Sequence, residues 1–302
     1  MSCAGCVRNA CVIMACLGQL LPGEGVAASG APPTWRNTLT AAYAWQGETD
    51  LEGGGVFQVD RGVLQFESAR RFGRQWFAAL TVGYGEDHYR FSDNPGGFAP
   101  WEKVRTLQFG LPLRYMANKT WVLFGLPVLR YSAEENAGLG DGREYGLIAG
   151  ASYRFSDSLT VGPGLGAFKG IGNEDDLFPV VFINWRMTDT LSLETGRGLA
   201  ATRGPGLALK WRPLEKWEFG IAGRYEKYRF RLADGAGSIG QDKSVPLVAT
   251  ANWQSTPALR ISVLAGVETS GVLRLEDSNG NFIAEQSYRT APIAGVVASV
   301  RF

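Results

Sequence analysis

The chain holds one histidine, His88, within Glu86-Asp87-His88-Tyr89. Any mechanism that needs an imidazole base must use it, since no other side chain titrates near neutrality in its ordinary state. Barrel-type lipid hydrolases and proteases do use Ser–His or Asp–His pairs, so His88 is the candidate for that class. Asp87 is its neighbour in sequence, but adjacent residues of a strand point to opposite faces. His88 therefore reads as a solvated loop residue, and no enzymatic activity is expected. Two acidic stretches, Asn173-Glu174-Asp175-Asp176 and Asp277-Ser278-Asn279-Gly280-Asn281, carry the oxygen ligands that Ca²⁺ takes. They lack the EF-hand spacing and read as solvated loop tips. The sequence has no phosphate-cradling loop and no Cys/His cluster, so neither a cofactor nor a bound metal is expected.

A third set of chemically active residues recurs along the chain. Strand-like segments finish on Arg71-Phe72, Arg114-Tyr115, Arg154-Phe155, Arg186-Met187, Arg212-Pro213 and Arg301-Phe302. Arg260 opens a further segment at the same level. In each case the alternation puts the arginine on one face and an apolar residue on the other. If that face lines a lumen, Arg114, Arg154, Arg186, Arg212, Arg260 and Arg301 form a basic constriction that would attract anions. The competing reading is structural: these arginines pair with carboxylates such as Glu67 and Glu218 and brace a small barrel. Small solutes are the partners this ring would select. With a net charge of +1, the chain carries no global field that would suggest nucleic acid.

The elements that must position these residues are period-2 strands. Leu107, Phe109, Leu111, Leu113 and Tyr115 alternate with Thr106, Gln108, Gly110, Pro112 and Arg114. Tyr145, Leu147, Ala149, Ala151, Tyr153 and Phe155 alternate with Glu144, Gly146, Ile148, Gly150, Ser152 and Arg154. Similar patterns cover 217–226 and 259–268. The connections alternate strictly between short turns, at residues 72–74, 117–119, 156–158, 188–189, 214–216 and 255–257, and longer loops rich in Gly and charge. The loops lie at about 47–55, 86–102, 134–143, 169–177, 195–205, 232–244 and 276–286. This count predicts an all-β, up-and-down antiparallel transmembrane β-barrel of about fourteen strands, with both termini on the short-turn side. Twelve strands, with 190–207 folded differently, is the alternative. Residues 121–128 are apolar on both faces, and the 191–194 strand is short. Asn94-Pro95-Gly96-Gly97 reads as a turn.

Tryptophan supports the membrane reading over a soluble sandwich. Trp76, Trp121, Trp185, Trp211, Trp217 and Trp253 all flank short turns. Indoles prefer the membrane interface, where the ring is buried and the N–H is wet. No apolar run is long enough for a membrane-spanning helix.

The ending Val297-Ala298-Ser299-Val300-Arg301-Phe302 resembles the closing strand of Gram-negative outer-membrane barrels. That resemblance implies that Phe302 belongs to an insertion signal read by the barrel assembly machinery. The stretch WEFGIAGRYEKYRFRL, from Trp217 to Leu232, together with the closing VASVRF, is similar to an uncharacterised family of Gram-negative outer-membrane barrel proteins. The family implies place and fold and brings no ligand. It also implies outer-membrane lipid and lipopolysaccharide as surroundings. Long-chain fatty-acid transporters share the strand number, but their hatch with an Asn-Pro-Ala motif has no counterpart here, since Ser29 to Asn37 is too short.

All four cysteines, Cys3, Cys6, Cys11 and Cys16, lie at the start of the chain. Arg8, the apolar stretch Ala10–Leu21 and Val26-Ala27-Ala28 read as a secretory signal cut after Ala28. A lipoprotein signal with Cys16 lipidated competes with it. The expected organisation is a signal at 1–28, a short periplasmic lead-in at 29–37 and a barrel at 38–302, exported to the outer membrane.

Overall fold

The computed structural model describes residues 35–93, 98–173, 175–195, 206–233 and 238–302. The signal segment, the lipidation alternative at Cys16 and the Asn94–Gly97 turn lie outside them.

The described chain is a closed antiparallel barrel of fourteen strands. In order they are β1 (Arg36–Asp50), β2 (Val56–Phe72), β3 (Trp76–Ser92) and β4 (Lys103–Gly110 with Leu113–Met116). Next come β5 (Trp121–Glu134), β6 (Arg143–Arg154), β7 (Leu159–Lys169), β8 (Asp175–Arg186), β9 (Leu191–Thr195) and β10 (Gly206–Leu214). The last four are β11 (Trp217–Arg224 with Glu226–Arg231), β12 (Ile239–Gln254), β13 (Leu259–Glu276) and β14 (Phe282–Tyr288 with Ala291–Arg301). The twelve-strand alternative is thereby excluded, although β9 is only 5 residues long. Leu111-Pro112 interrupts β4, as expected where a proline removes a ladder donor.

Closure rests on β1 pairing with β14, from Thr38 opposite Arg301 to Gln46 opposite Ile293. The last residue seals it: Asn37 N–H donates to Phe302 O and Phe302 N–H donates to Asn37 O, both at 2.9 Å. A closed ring leaves no unpaired edge for lipid to meet.

The outer wall carries an apolar belt. On β3 it runs through Trp76, Leu80 and Tyr84, all about half exposed, and stops at Glu86. Eight residues of tilted strand span about 20 Å, close to a hydrocarbon core. The six tryptophans that flank short turns are all exposed on this outer face, at one end of the belt. β2, β3, β12 and β13, of 16 to 18 residues, run on well past the other end. Much of what alternation alone assigns to the loops 47–55, 86–102 and 276–286 is therefore strand. Above the belt the outward residues turn polar, as at Glu86, His88 and Arg90, while inward ones such as Tyr89 and Phe91 are apolar, so the apolar phase passes to the other face.

Inside, the wall of β5 to β8 is apolar. Phe124, Leu126, Val128, Ile148, Phe168, Phe178, Val180 and Phe182 form one buried cluster. This explains why 121–128 is apolar on both faces: one face meets lipid, the other this cluster. The facing glycines make room for it. A Cβ on Gly146 would sit 2.0 Å from the Phe168 ring, and one on Gly166 would sit 2.3 Å from the Phe178 ring. Each ring occupies the space that a side chain on the facing glycine would need.

Candidate functional site

The arginines picked out from the sequence all sit on the inward phase of their strands, at the short-turn mouth. Arg114 is buried, and its guanidinium lies 5.4 Å from the centre of the Phe77 ring. Arg71, Phe77 and Arg114 are successive register partners across β2, β3 and β4. Arg154, Arg186, Arg212, Arg260 and Arg301 are exposed at the rim. Several are held by neighbours. Arg186 donates to Asp157 O at 3.2 Å, and Arg260 to Gln254 Oε1 at 2.9 Å. Arg212 contacts Glu218 at 2.5 Å. Deeper in, Lys210 bridges Glu194 at 2.9 Å and Glu218 at 3.9 Å. The mouth thus carries a rim of exposed arginines, one of which, Arg212, is held by Glu218.

Above the rim, the inward Thr40, Gln65, Ser299 and Asn252 are only partly buried. Further in, Ala42, Ala44, Val297, Val248, Leu264 and Ile293 pack together from β1, β14, β13 and β12.

The opposite mouth is shut by the chain itself. The two parts of β11 flank Tyr225, and beyond it the strand leaves the wall. Glu226 to Phe230 are buried on both faces, as are Ile239 to Asp242 of the paired β12. This hairpin crosses the lumen as a septum. Tyr228 OH lies 2.5 Å from Thr106 Oγ1 on β4. Arg231 forms a parallel bridge with Ala133 on β5. Phe230 packs edge-on against Trp101 at 5.0 Å, within a cluster that also holds Phe57, Tyr89 and Tyr288.

Charge holds the septum in place. Arg61 on β2 forks onto both oxygens of Glu268, at 3.1 and 3.2 Å, and reaches Asp242 of the hairpin at 3.3 Å. Gln46 accepts from Arg61 at 3.3 Å, and Tyr89 donates to Asp242 at 3.0 Å. Tyr288 donates to both carboxylates at 3.3 Å. On the other face of the hairpin, Lys227 meets Asp176 at 3.6 Å, and Arg229 bonds Glu276 and, at 2.9 Å, Ile171 O.

Continued from Trp217 to Tyr225, the alternation would put Lys227 and Arg229 on the lipid phase and Tyr228 and Phe230 on the lumenal one, and the structure buries all four. The available signal was the charge density of Glu226-Lys227-Tyr228-Arg229-Phe230-Arg231, too high for a strand spanning a bilayer.

His88 points outward above the belt, 3.5 Å from Glu86, while Asp87 is buried on the inner face. The two do not meet. In the second acidic stretch, Asp277 accepts from the N–H groups of Asn279 and Asn281 and from the Asn281 side chain, each at 2.8 Å. Those donors hold its carboxyl below the usual range. In the first stretch Asp175 is exposed and Asp176 is buried on Lys227, so the two diverge. Among the described residues no group of three or more His, Cys, Asp or Glu side chains is placed to hold a metal.

No protein-family model and no curated sequence matches the chain. Solved structures do. A FadL homologue of Pseudomonas aeruginosa aligns with a TM-score of 0.50 at 11% identity, over 88% of this chain and 90% of that one. An outer membrane channel from Pseudomonas putida F1 aligns with a TM-score of 0.49 at 9% identity, over 93% of this chain and 100% of that one. The toluene transporter TodX of Pseudomonas putida aligns with a TM-score of 0.41 at 8% identity, over 89% and 90%. At such identities the likeness is one of fold, and the fold is the closed outer-membrane β-barrel.

Proposed function

We propose that the protein is an outer-membrane channel for small solutes that rests closed at its outer mouth. In this reading the leader exports it by the secretory route, the assembly machinery inserts it through the strand ending at Phe302, and it has no enzymatic activity. The girdle and belt support the membrane placement. The observation that carries the channel reading is the septum: residues 226–231 and 239–242 shut one mouth on ion pairs, while partly exposed inward residues behind a basic rim stand at the other. Charged contacts suit a movable plug, because each partner regains water when they part, whereas a purely structural filling is made as stably by apolar residues. Anions are the favoured solutes, since Arg154, Arg186, Arg260 and Arg301 crowd the entrance. The packed upper lumen also favours a second reading, a permanently closed barrel that acts through its outer surface.

Planar-bilayer conductance separates the two. The intact barrel should be silent or flicker. Replacing 226–242 by a short Gly/Ser turn should give steady conductance with anion preference in a salt gradient. A shortened barrel that is folded and still silent would sink the channel reading.

A further inference from the structure

On the outer wall, at the belt edge away from the tryptophan girdle, positive charge is distributed unevenly. On β3 and β4 it is matched by acid: Arg90 contacts Asp60 at 2.5 Å, and Lys103 contacts Glu135 at 3.0 Å and Glu86 at 3.4 Å. On β6 and β7 it is not. The Arg143 guanidinium lies over the Tyr145 ring, 5.9 Å from its centre, and Lys169 is the register partner of Tyr145. Among the described residues neither cation has an ion pair. The acidic neighbour of Arg143, Glu144, is turned inward and buried on Arg130 at 3.4 Å, so it cannot offset the outer face. Asp175 stands opposite Lys169 in the β7–β8 register without bonding to it. Directly below, Leu147 and Leu165 present nearly half of their surface.

Two unmatched cations around an aromatic ring, one step beyond an apolar surface, fit an amphiphile with an anionic head. We propose that Arg143, Lys169 and Tyr145 bind the phosphate of a phosphorylated glycolipid of the outer leaflet, the lipid A class, with its acyl chains laid along Leu147 and Leu165. The proposal rests on the outer-membrane reading, which puts this edge of the belt in the outer leaflet. The ring covers the Arg143 guanidinium on one side, which strengthens its hold on an anion. Each basic residue near an anionic lipid surface contributes about fivefold in affinity.

The test uses the folded full-length barrel in phosphatidylcholine nanodiscs doped with lipid A, with retained lipid counted by native mass spectrometry. Bisphosphorylated lipid A should be retained, and the R143Q/K169Q pair should lower retention by about twentyfold. Fully dephosphorylated lipid A should bind the wild type no better than phosphorylated lipid A binds that pair. R143K/K169R should hold near wild type, and R90Q, in a matched pair, should leave retention unchanged. Equal retention of the two lipids, or an R143Q/K169Q barrel that retains as much as wild type, overturns the proposal. Displacement by millimolar inorganic phosphate would also overturn it, by showing a site for the free anion. Failure of the membrane reading itself appears separately, as a barrel that never enters nanodiscs of either kind.

Discussion

Tyr228 on β11 and Thr106 on β4 stand 2.5 Å apart across the lumen, joining strands on opposite walls of the ring. A side chain from a wall residue could not make that bond while its strand stayed in the wall. The contact therefore reports that β11 has left it, and the first prediction follows from where the strand arrives. Arg231 and Ala133 are bridge partners, close enough for a disulfide. The native cysteines all lie within the first sixteen positions. Arg231→Cys with Ala133→Cys should be silent in a bilayer when oxidised and should conduct intermittently once reduced. Equal conductance in the two states would show that the hairpin does not gate.

Arg61 is bonded to both Asp242 and Glu268. Arg61→Ala leaves two carboxylates buried and should cost about 3–5 kcal/mol, read from the urea midpoint of the heat-modifiable folded band. Adding Glu268→Gln should recover part of the loss, because it removes one of the stranded charges. Additive losses in the double variant would contradict the network.

At the rim, the pairing of Arg212 with Glu218 predicts unequal effects of similar substitutions. Arg212→Gln removes a cation and also exposes an inward carboxylate, so it should lower anion preference more than Arg154→Gln. The difference should be largest at low salt, where screening is weakest. Reversal potentials of the hairpin-shortened barrel measure it, and identical shifts would mean that Glu218 does not face the conducting path.

Deleting Phe302 should slow assembly more than it weakens the finished barrel. Its side chain is 67% exposed on the outer face, so little packing is lost. Two backbone bonds to Asn37 tie it down. The yield of heat-modifiable barrel in the outer membrane should fall, while its unfolding midpoint changes little. Unchanged yield would remove Phe302 from the insertion signal.

The turn at Asp277 should respond to acid. Hydrogen bonds from Asn281 and the nearby amides hold its carboxyl below the usual value. Such a group stabilises the fold above the ordinary carboxylate pKa of about 3.9. That stabilisation is lost as pH falls through the lower, folded-state value. The amide shifts of Asn279 and Asn281 should titrate together with a midpoint below 3.9, and D277N should abolish the titration.

How far the sequence reveals the molecule depends on depth. Within the belt, lipid on one side and a wet or glycine-lined lumen on the other force an alternation that anyone can read, as in Tyr145 to Phe155. The rim arginines belong to this zone, and their phase was legible. Beyond the belt the polar face turns outward and the apolar face inward, as at His88 and Tyr89, so the pattern reverses phase and Glu86 to Ser92 no longer reads as membrane strand although it is strand. The septum was least legible of all. Alternation says that Tyr228 and Lys227 point apart, but not what each face meets once the strand turns inward.

The seam between Asn37 and Phe302 also separates architecture from chain order. Because the first strand is bonded to the last, the ring has no topological beginning. A circular permutant, with Asn37 and Phe302 joined through a short linker and new ends cut at the Glu52–Gly55 turn, keeps every strand pair of the native barrel. It places the terminal aromatic in mid-chain. Such a molecule would be the same object to a denaturant and a different one to the cell, which reads direction as well as shape.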